Sequence, residues 1–293
     1  MVLDAYLADL ARCTTVNQFN RLHILLENVL APGEVTALID GVRERSLTVP
    51  QPAAHWLARL DTLLRSHGRR VQPYERHALA EGATAYAAPG TTAERAARTL
   101  VIAFTGDANR LMMPIALLLQ HCPAERHEFV VLVDRQRSLY LNGVAGLGTD
   151  LPSTITRLAE VAAPTRYRRA VSFGTSAGGL AAVWTGVALG LARAVSVGGV
   201  TPAQVSERVQ TQHLRTEAFD EVVRQNATRL PEVLLVAGER NVRDNEKALA
   251  MTALLPAATI TVPGSTHHNV LYDIWNRGEL DDFLERLLDE APA

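Results

Sequence analysis

Apolar and polar positions fall into two textures along this chain. Over the first 70 residues the apolar positions recur at three- and four-residue intervals. Phe19, Leu22, Leu25, Leu26 and Val29 share one helical face. Thr15-Val-Asn-Gln18, just ahead of them, matches a capping box, in which side chain and backbone satisfy each other's orphan groups at a helix start. Pro32 suits the first turn of a second helix, Glu34 to Arg45. A third helix, Ala53 to Ser66, is expected to stop at Gly68. No clear strand is expected before residue 78.

Beyond residue 78, short runs that are apolar at nearly every position alternate with helical patterns. Leu100–Phe104, Phe129–Val133, Ala170–Phe173, Ala194–Gly198, Val233–Ala237 and Ala258–Val262 read as strands, and Ala80–Ala87 as an opening one. Arg110–His121, Pro152–Ala162, Ala177–Leu189, Asn245–Leu255 and Glu279–Leu288 read as helices. Strands without alternation are buried on both faces. Their alternation with helices predicts an α/β fold, a mostly parallel sheet covered by helices on both sides. The chain thus divides into an N-terminal helical segment, 1–70, and an α/β domain, 71–293. The first is a candidate lid, dimerisation element or docking module. Residues 201–229 exceed what a crossover needs and are expected to form a helical insertion over the site.

Composition narrows the partners. The 293 residues are 47% hydrophobic, enough for one large core with a helical appendage. A net charge of −2 leaves no basic excess for neutralising phosphates, so nucleic acid is not an expected partner. Asp4 and Asp9 interrupt the N-terminal apolar run, so no signal peptide is expected there. Leu180–Ala192, the longest apolar stretch, is short for a membrane span. Cys13 and Cys122 suit neither a disulfide framework nor a zinc site, and a cytoplasmic location is expected. No spaced metal-ligand set and no phosphate-binding glycine pattern occurs, so neither metal nor cofactor is expected.

Three candidate features fall at predicted strand ends, where parallel sheets gather ligands. Gly174-Thr-Ser176-Ala-Gly178 joins a strand to a helix. A serine on so sharp a turn needs glycine two positions to either side. A serine hydroxyl needs a base, and His267 and His268 follow the last strand. The base needs an orienting acid, and Asp244 and Glu239 follow the strand Val233–Ala237. Asp244 also suits the N-cap of the helix Asn245–Leu255.

The elbow, the strand order and the histidine loop resemble the α/β-hydrolase superfamily over about residues 78 to 290, with its triad order of serine, acid, histidine. The resemblance to a P-G-x-x-H loop favours His267 as base, with His268 the alternative. Asn241 occupies the slot where relatives carry aspartate. Asp244 is therefore preferred as the acid, with Glu239 and Asn241 as alternatives. The resemblance implies an oxyanion hole from the amides of Ala177 and Asp107, in a loop that reads Thr105-Gly106 where many members have His-Gly. The Asp107 carboxylate is expected to turn away, toward Arg110. Gly106, Arg110, Met112, Met113 and Arg135 are the expected pocket residues, Arg135 for an anionic part of a substrate.

The implied activity is serine-dependent acyl transfer, hydrolysing an ester or thioester of a small-molecule or carrier-bound acyl substrate without a cofactor. An acyltransferase passing the acyl group to a sugar or other alcohol is the second expectation. A non-catalytic hydrolase-like binding protein is the third. Homo-oligomerisation through the N-terminal helices is a further expectation.

Overall fold

The computed structural model describes residues 2–65, 70–209 and 216–289. Its central sheet follows from the apolar runs. β1 (Glu75–Ala80) and β2 (Ala83–Ala87) form a hairpin, so the expected single opening strand is two strands turning at Glu81-Gly82. β2 pairs antiparallel with β4 (His127–Leu132). β3 (Thr99–Phe104), β5 (Arg169–Thr175), β6 (Arg193–Val197), β7 (Glu232–Gly238) and β8 (Ala258–Val262) complete a sheet of order β1-β2-β4-β3-β5-β6-β7-β8. Every pairing from β4 to β8 is parallel. The inner strands β3 and β4 are buried at all positions, whereas the edge strand β1 is largely exposed.

Successive strand residues serve opposite faces. Val101 and Ala103 join one core with Val171, Val195 and Phe283; Leu100, Ile102 and Phe104 join the other with Leu180 and Trp184. The first face is covered by α6 (Ile115–Gln120), α12 (Val270–Asn276) and α13 (Leu280–Leu288). The second is covered by α7 (Leu151–Ala162), α8 (Gly179–Leu189) and α11 (Val242–Thr252). A short helix, α5 (Thr92–Ala96), leads into β3. α10 (Thr216–Gln225) packs on α8, with the Phe219 ring edge-on to Trp184 at 5.5 Å, and α9 (Pro202–Val209) packs on α10.

Four helices precede the sheet: α1 (Val2–Arg12), α2 (Val16–Val29), α3 (Pro32–Glu44) and α4 (Gln51–Arg65). Thr15 caps α2 in a reciprocal capping box with Gln18, as its spacing predicts. The expected stop at Gly68 lies outside the described residues. Leu7, Leu10, Leu26, Leu38 and Leu64 form a separate core that closes on Ala116 of α6. Arg76 of β1 grips Glu34 through Nε and Nη2, and the Tyr86 hydroxyl of β2 donates to Val29 O at 2.8 Å.

One predicted helix is much shorter than expected. Arg110–His121 is helical only over Ile115–Gln120. Met113 precedes Pro114, and a residue before proline is pushed out of the helical region. Asn109 and Met112 have positive φ, 56° and 63°, which no helix interior tolerates. Residues 105–114 are therefore a loop, and this loop builds the site.

Candidate active site

β3 connects to β4 on one side and β5 lies on the other, so the loops leaving β3 and β5 part at their carboxyl ends. A crevice opens where strand order reverses in this way. Ser176 stands there. It follows β5 directly, begins a 3₁₀ turn of three residues, and has φ of 51°. A left-handed backbone at a non-glycine residue stores strain, of order 1–3 kcal/mol, which the packing around it must hold. The packing is close. A Cβ on Gly174 would lie 2.2 Å from Gly178 O, and one on Gly178 would lie 2.3 Å from Phe104 O. Both glycines are thus demanded by the approach of α8 to the sheet.

His268 and Asp244 meet beside this turn. His268 Nδ1 lies 2.6 Å from Asp244 Oδ2, and Nε2 has no hydrogen-bond partner among the described residues. Asp244 is buried, at 2% side-chain exposure, and its other oxygen accepts from Lys247 Nζ at 2.7 Å. Asn241 Nδ2 donates to Asp244 Oδ2 at 2.9 Å. Burial works to raise this carboxyl's pKa, but the bonds from His268 and Lys247 outweigh it and hold the pKa below the usual carboxylate value. Asn241, not Asp244, is the N-cap: its side chain accepts from the Asp244 amide, and the helix starts at Val242. Gly198, just past β6, has φ of 58°, and a Cβ there would lie 2.8 Å from His268 Cε1.

His267 is placed elsewhere. Its Nδ1 lies 3.0 Å from Asp273 Oδ1, its side chain is 70% exposed, and it lines a different hollow from Ser176. The two histidines lie in a bend, where their side chains diverge and reach different acids. Glu239 holds the turn after β8, accepting from the Gly264 amide at 2.6 Å.

The 105–114 loop passes against the elbow. A Cβ on Gly106 would lie 3.2 Å from Ser176 Cβ. The Gly106 amide donates to Arg110 O at 3.1 Å, and Asn269, next to His268, donates to Met112 O at 2.6 Å. Arg110 does not serve Asp107, as expected, but reaches Glu27 of α2, Nη1 to Oε2, 3.1 Å. Asn28 Nδ2 donates to Ala108 O at 3.1 Å. The N-terminal helices are thereby bonded to the loop that flanks Ser176.

Ser176 and His268 open onto one cavity of about 640 Å³, within the size range of small-molecule sites. Its floor includes Gly106, Asp107, Arg110, Met112 and Met113 of the loop. Its roof is the N-terminal segment. α4 contributes Pro52, His55, Trp56, Arg59, Leu60 and Leu63, one continuous helical stripe. α2 adds Phe19, Asn20, His23 and Glu27. Glu27 accepts from Trp56 Nε1 at 3.1 Å, and its other contacts are His23 Nε2 at 2.8 Å and Arg110. Burial opposes ionisation of Glu27, but these partners win and lower its pKa. Arg135 lies outside the cavity, against Glu81. Among the described residues, none from 201–229 lines it, so the described part of that segment does not cover the site.

Lys247 was not read from sequence as part of the site, and the N-terminal helices were read as a lid only beside dimerisation and docking. Lys247 stands three residues after Asp244, on the same helical face, which is the available signal.

No family model matches the chain, and no curated protein matches it. Among solved structures, a siderophore hydrolase of Aspergillus nidulans superposes with a TM-score of 0.51 at 11% identity, covering 77% of this chain and 98% of its own. A fluorophosphonate-binding serine hydrolase of Staphylococcus aureus gives 0.49 at 13% identity, covering 73% and 96%. Est1E of Butyrivibrio proteoclasticus gives 0.48 at 13%, covering 74% and 99%. The eight-stranded order, the single reversed strand and the superposition together give this chain the α/β-hydrolase fold.

Proposed function

We propose that this protein is a serine hydrolase that cleaves an ester or thioester through an acyl-enzyme on Ser176, with His268 as base and Asp244 as its orienting acid. The observation that carries this reading is the conjunction at one cavity of a serine held at φ 51° and a histidine whose Nδ1 is tied to a buried carboxylate. Bonded at Nδ1, the imidazole keeps Nε2 for the serine proton.

In this reading Ser176 Oγ attacks the carbonyl carbon while His268 Nε2 takes the hydroxyl proton. The negative oxygen that forms is held by the amides of Ala177 and Asp107. The C–O or C–S bond to the leaving group then breaks, and His268 returns the proton to that group. Water, activated by the same imidazole, attacks the acyl-enzyme, and Ser176 leaves with its proton restored. Asp244 stabilises the imidazolium throughout. Asn241 supports the acid rather than replacing it. The roof makes α2 and α4 a wall of the site.

Turnover of a panel of acyl esters and thioesters of graded chain length tests the reading. Hydrolysis by the wild-type protein, lost in Ser176→Ala, is expected. Products analysed with and without added sugars and alcohols separate water from an alcohol as acceptor. Folded protein inert to every member, with no adduct formed on Ser176, assigns the fold to binding instead.

A further inference from the structure

The cavity that Ser176 shares with the roof has an uneven distribution of charge. Glu27 and Arg110 are committed to each other, and Glu27 also to His23 and Trp56. Asp107 is engaged as well. Two side chains on the wall differ. His55 and Arg59, one turn apart on α4, both line the cavity, both are exposed, and neither has a hydrogen-bond or ion-pair partner among the described residues. Asn20 and Tyr272 also line the cavity without a side-chain hydrogen-bond partner among the described residues, but of these uncommitted groups only the Arg59 guanidinium is permanently charged. The wall is otherwise rich in rings and thioethers, among them Phe19, Trp56, Tyr272, Trp275 and Met113.

A guanidinium with no carboxylate of its own, in a cavity with apolar walls, is suited to an anionic group brought by the ligand. Its planar fork matches a carboxylate with two parallel hydrogen bonds. Resting on the hydrolase reading above, we propose that the substrate carries a carboxylate at the end of an apolar acyl group, bound by Arg59 with His55 beside it while the scissile carbonyl sits at Ser176. The apolar body of the acyl group fills the aromatic part of the cavity. The N-terminal helices then set the specificity, since both groups belong to α4.

The test uses three 4-nitrophenyl esters of one chain length: octanoate, its ω-carboxylate and its ω-amide. Each is assayed as kcat/KM with the full chain, and Ser176 labelling by a fluorophosphonate is followed in the same samples. The carboxylate ester is expected to exceed the other two by about tenfold, the advantage of a charge-assisted bond. High salt reduces that ratio. Arg59→Gln brings the ratio to about one, His55→Gln reduces it partly, and Arg157→Gln, on α7 away from the cavity, leaves it intact. Arg59 is exposed and unpartnered, so its variant is expected to fold, and continued Ser176 labelling checks this. Equal or better cleavage of octanoate by protein that labels on Ser176 overturns the anion site and leaves the hydrolase reading standing. So does a preference that survives Arg59→Gln. Folded protein that neither labels nor cleaves any ester overturns both.

Discussion

Two histidine–aspartate pairs lie at opposite ends of the same sheet, and they are wired differently. At the carboxyl ends of the strands, His268 meets Asp244 at 2.6 Å. At the amino ends, His127 of β4 lies 2.9 Å from Asp289, which follows α13. The second group even includes a hydroxyl, Thr99 Oγ1, which donates to Asp289 Oδ1 at 3.0 Å. The wiring differs. At the amino end the carboxylate is the hub, shared by Thr99, His127 and Arg126, and the His127 contact is not an aligned hydrogen bond. His127 is 3% exposed, with its Nδ1 turned to Pro123 O. At the carboxyl end the imidazole is the hub, with one nitrogen on the acid, the other without a partner, and a side chain 45% exposed to the cavity. The same three functional groups dock a helix in one place and, in the proposed reading, serve proton transfer in the other. Access and order of connection decide which.

Substituting the histidine at each end tests this contrast. His268→Gln is expected to lower kcat/KM on an ester by about 10³-fold or more with little change in Tm. His127→Gln is expected to do the reverse, lowering Tm while turnover per folded molecule persists. Steady-state kinetics and thermal melts on both variants check the pair.

Asp289→Asn comes next, with an expected loss of about 3 kcal/mol in urea unfolding, because it leaves Arg126 and His127 without their buried acid. The same carboxyl gives a pH signature. Although burial opposes it, contacts from His127 and Thr99 and the charge of Arg126 hold its pKa at about 2 in the folded chain, against about 3.9 when unfolded. A depressed carboxyl stabilises the fold above its unfolded pKa. That contribution, about 2.5 kcal/mol, is complete above about pH 5 and fades as pH falls toward 2. In Asp289→Asn this part of the acid dependence is absent.

Gly198→Ala is expected to cost about 1–3 kcal/mol and to reduce turnover as well, since the new methyl meets positive φ and the His268 ring together. The smallest effect expected is at Lys247. Its ammonium, buried at 8% exposure, shares the charge of Asp244 with His268. Lys247→Met removes that competition, and kcat/KM is expected to fall by less than about tenfold while Tm also falls.

Much of this was legible in the chain. The capping box at Thr15, the apolar strands and the glycines around Ser176 carry their geometry locally, so spacing alone reveals them. The choice between His267 and His268 was not, because adjacent identical residues differ only in which side of the loop they leave. The stretch Leu111–Gln120 is apolar enough to read as helix, yet Pro114 and the positive φ at Met112 make its first part a loop. The roof was legible as helices, with a lid only one of three roles left open. Which face of α4 meets the cavity depends on packing against α6, far away in sequence.

The most direct measurement is the rate at which a fluorophosphonate modifies the protein, followed by intact mass and peptide mapping. The hydrolase account predicts one adduct, on Ser176, formed as fast in His267→Gln as in wild type within about twofold. It predicts at least about a hundredfold slowing in His268→Gln and no adduct in Ser176→Ala. An adduct that persists in Ser176→Ala, or slowing in His267→Gln rather than His268→Gln, contradicts it.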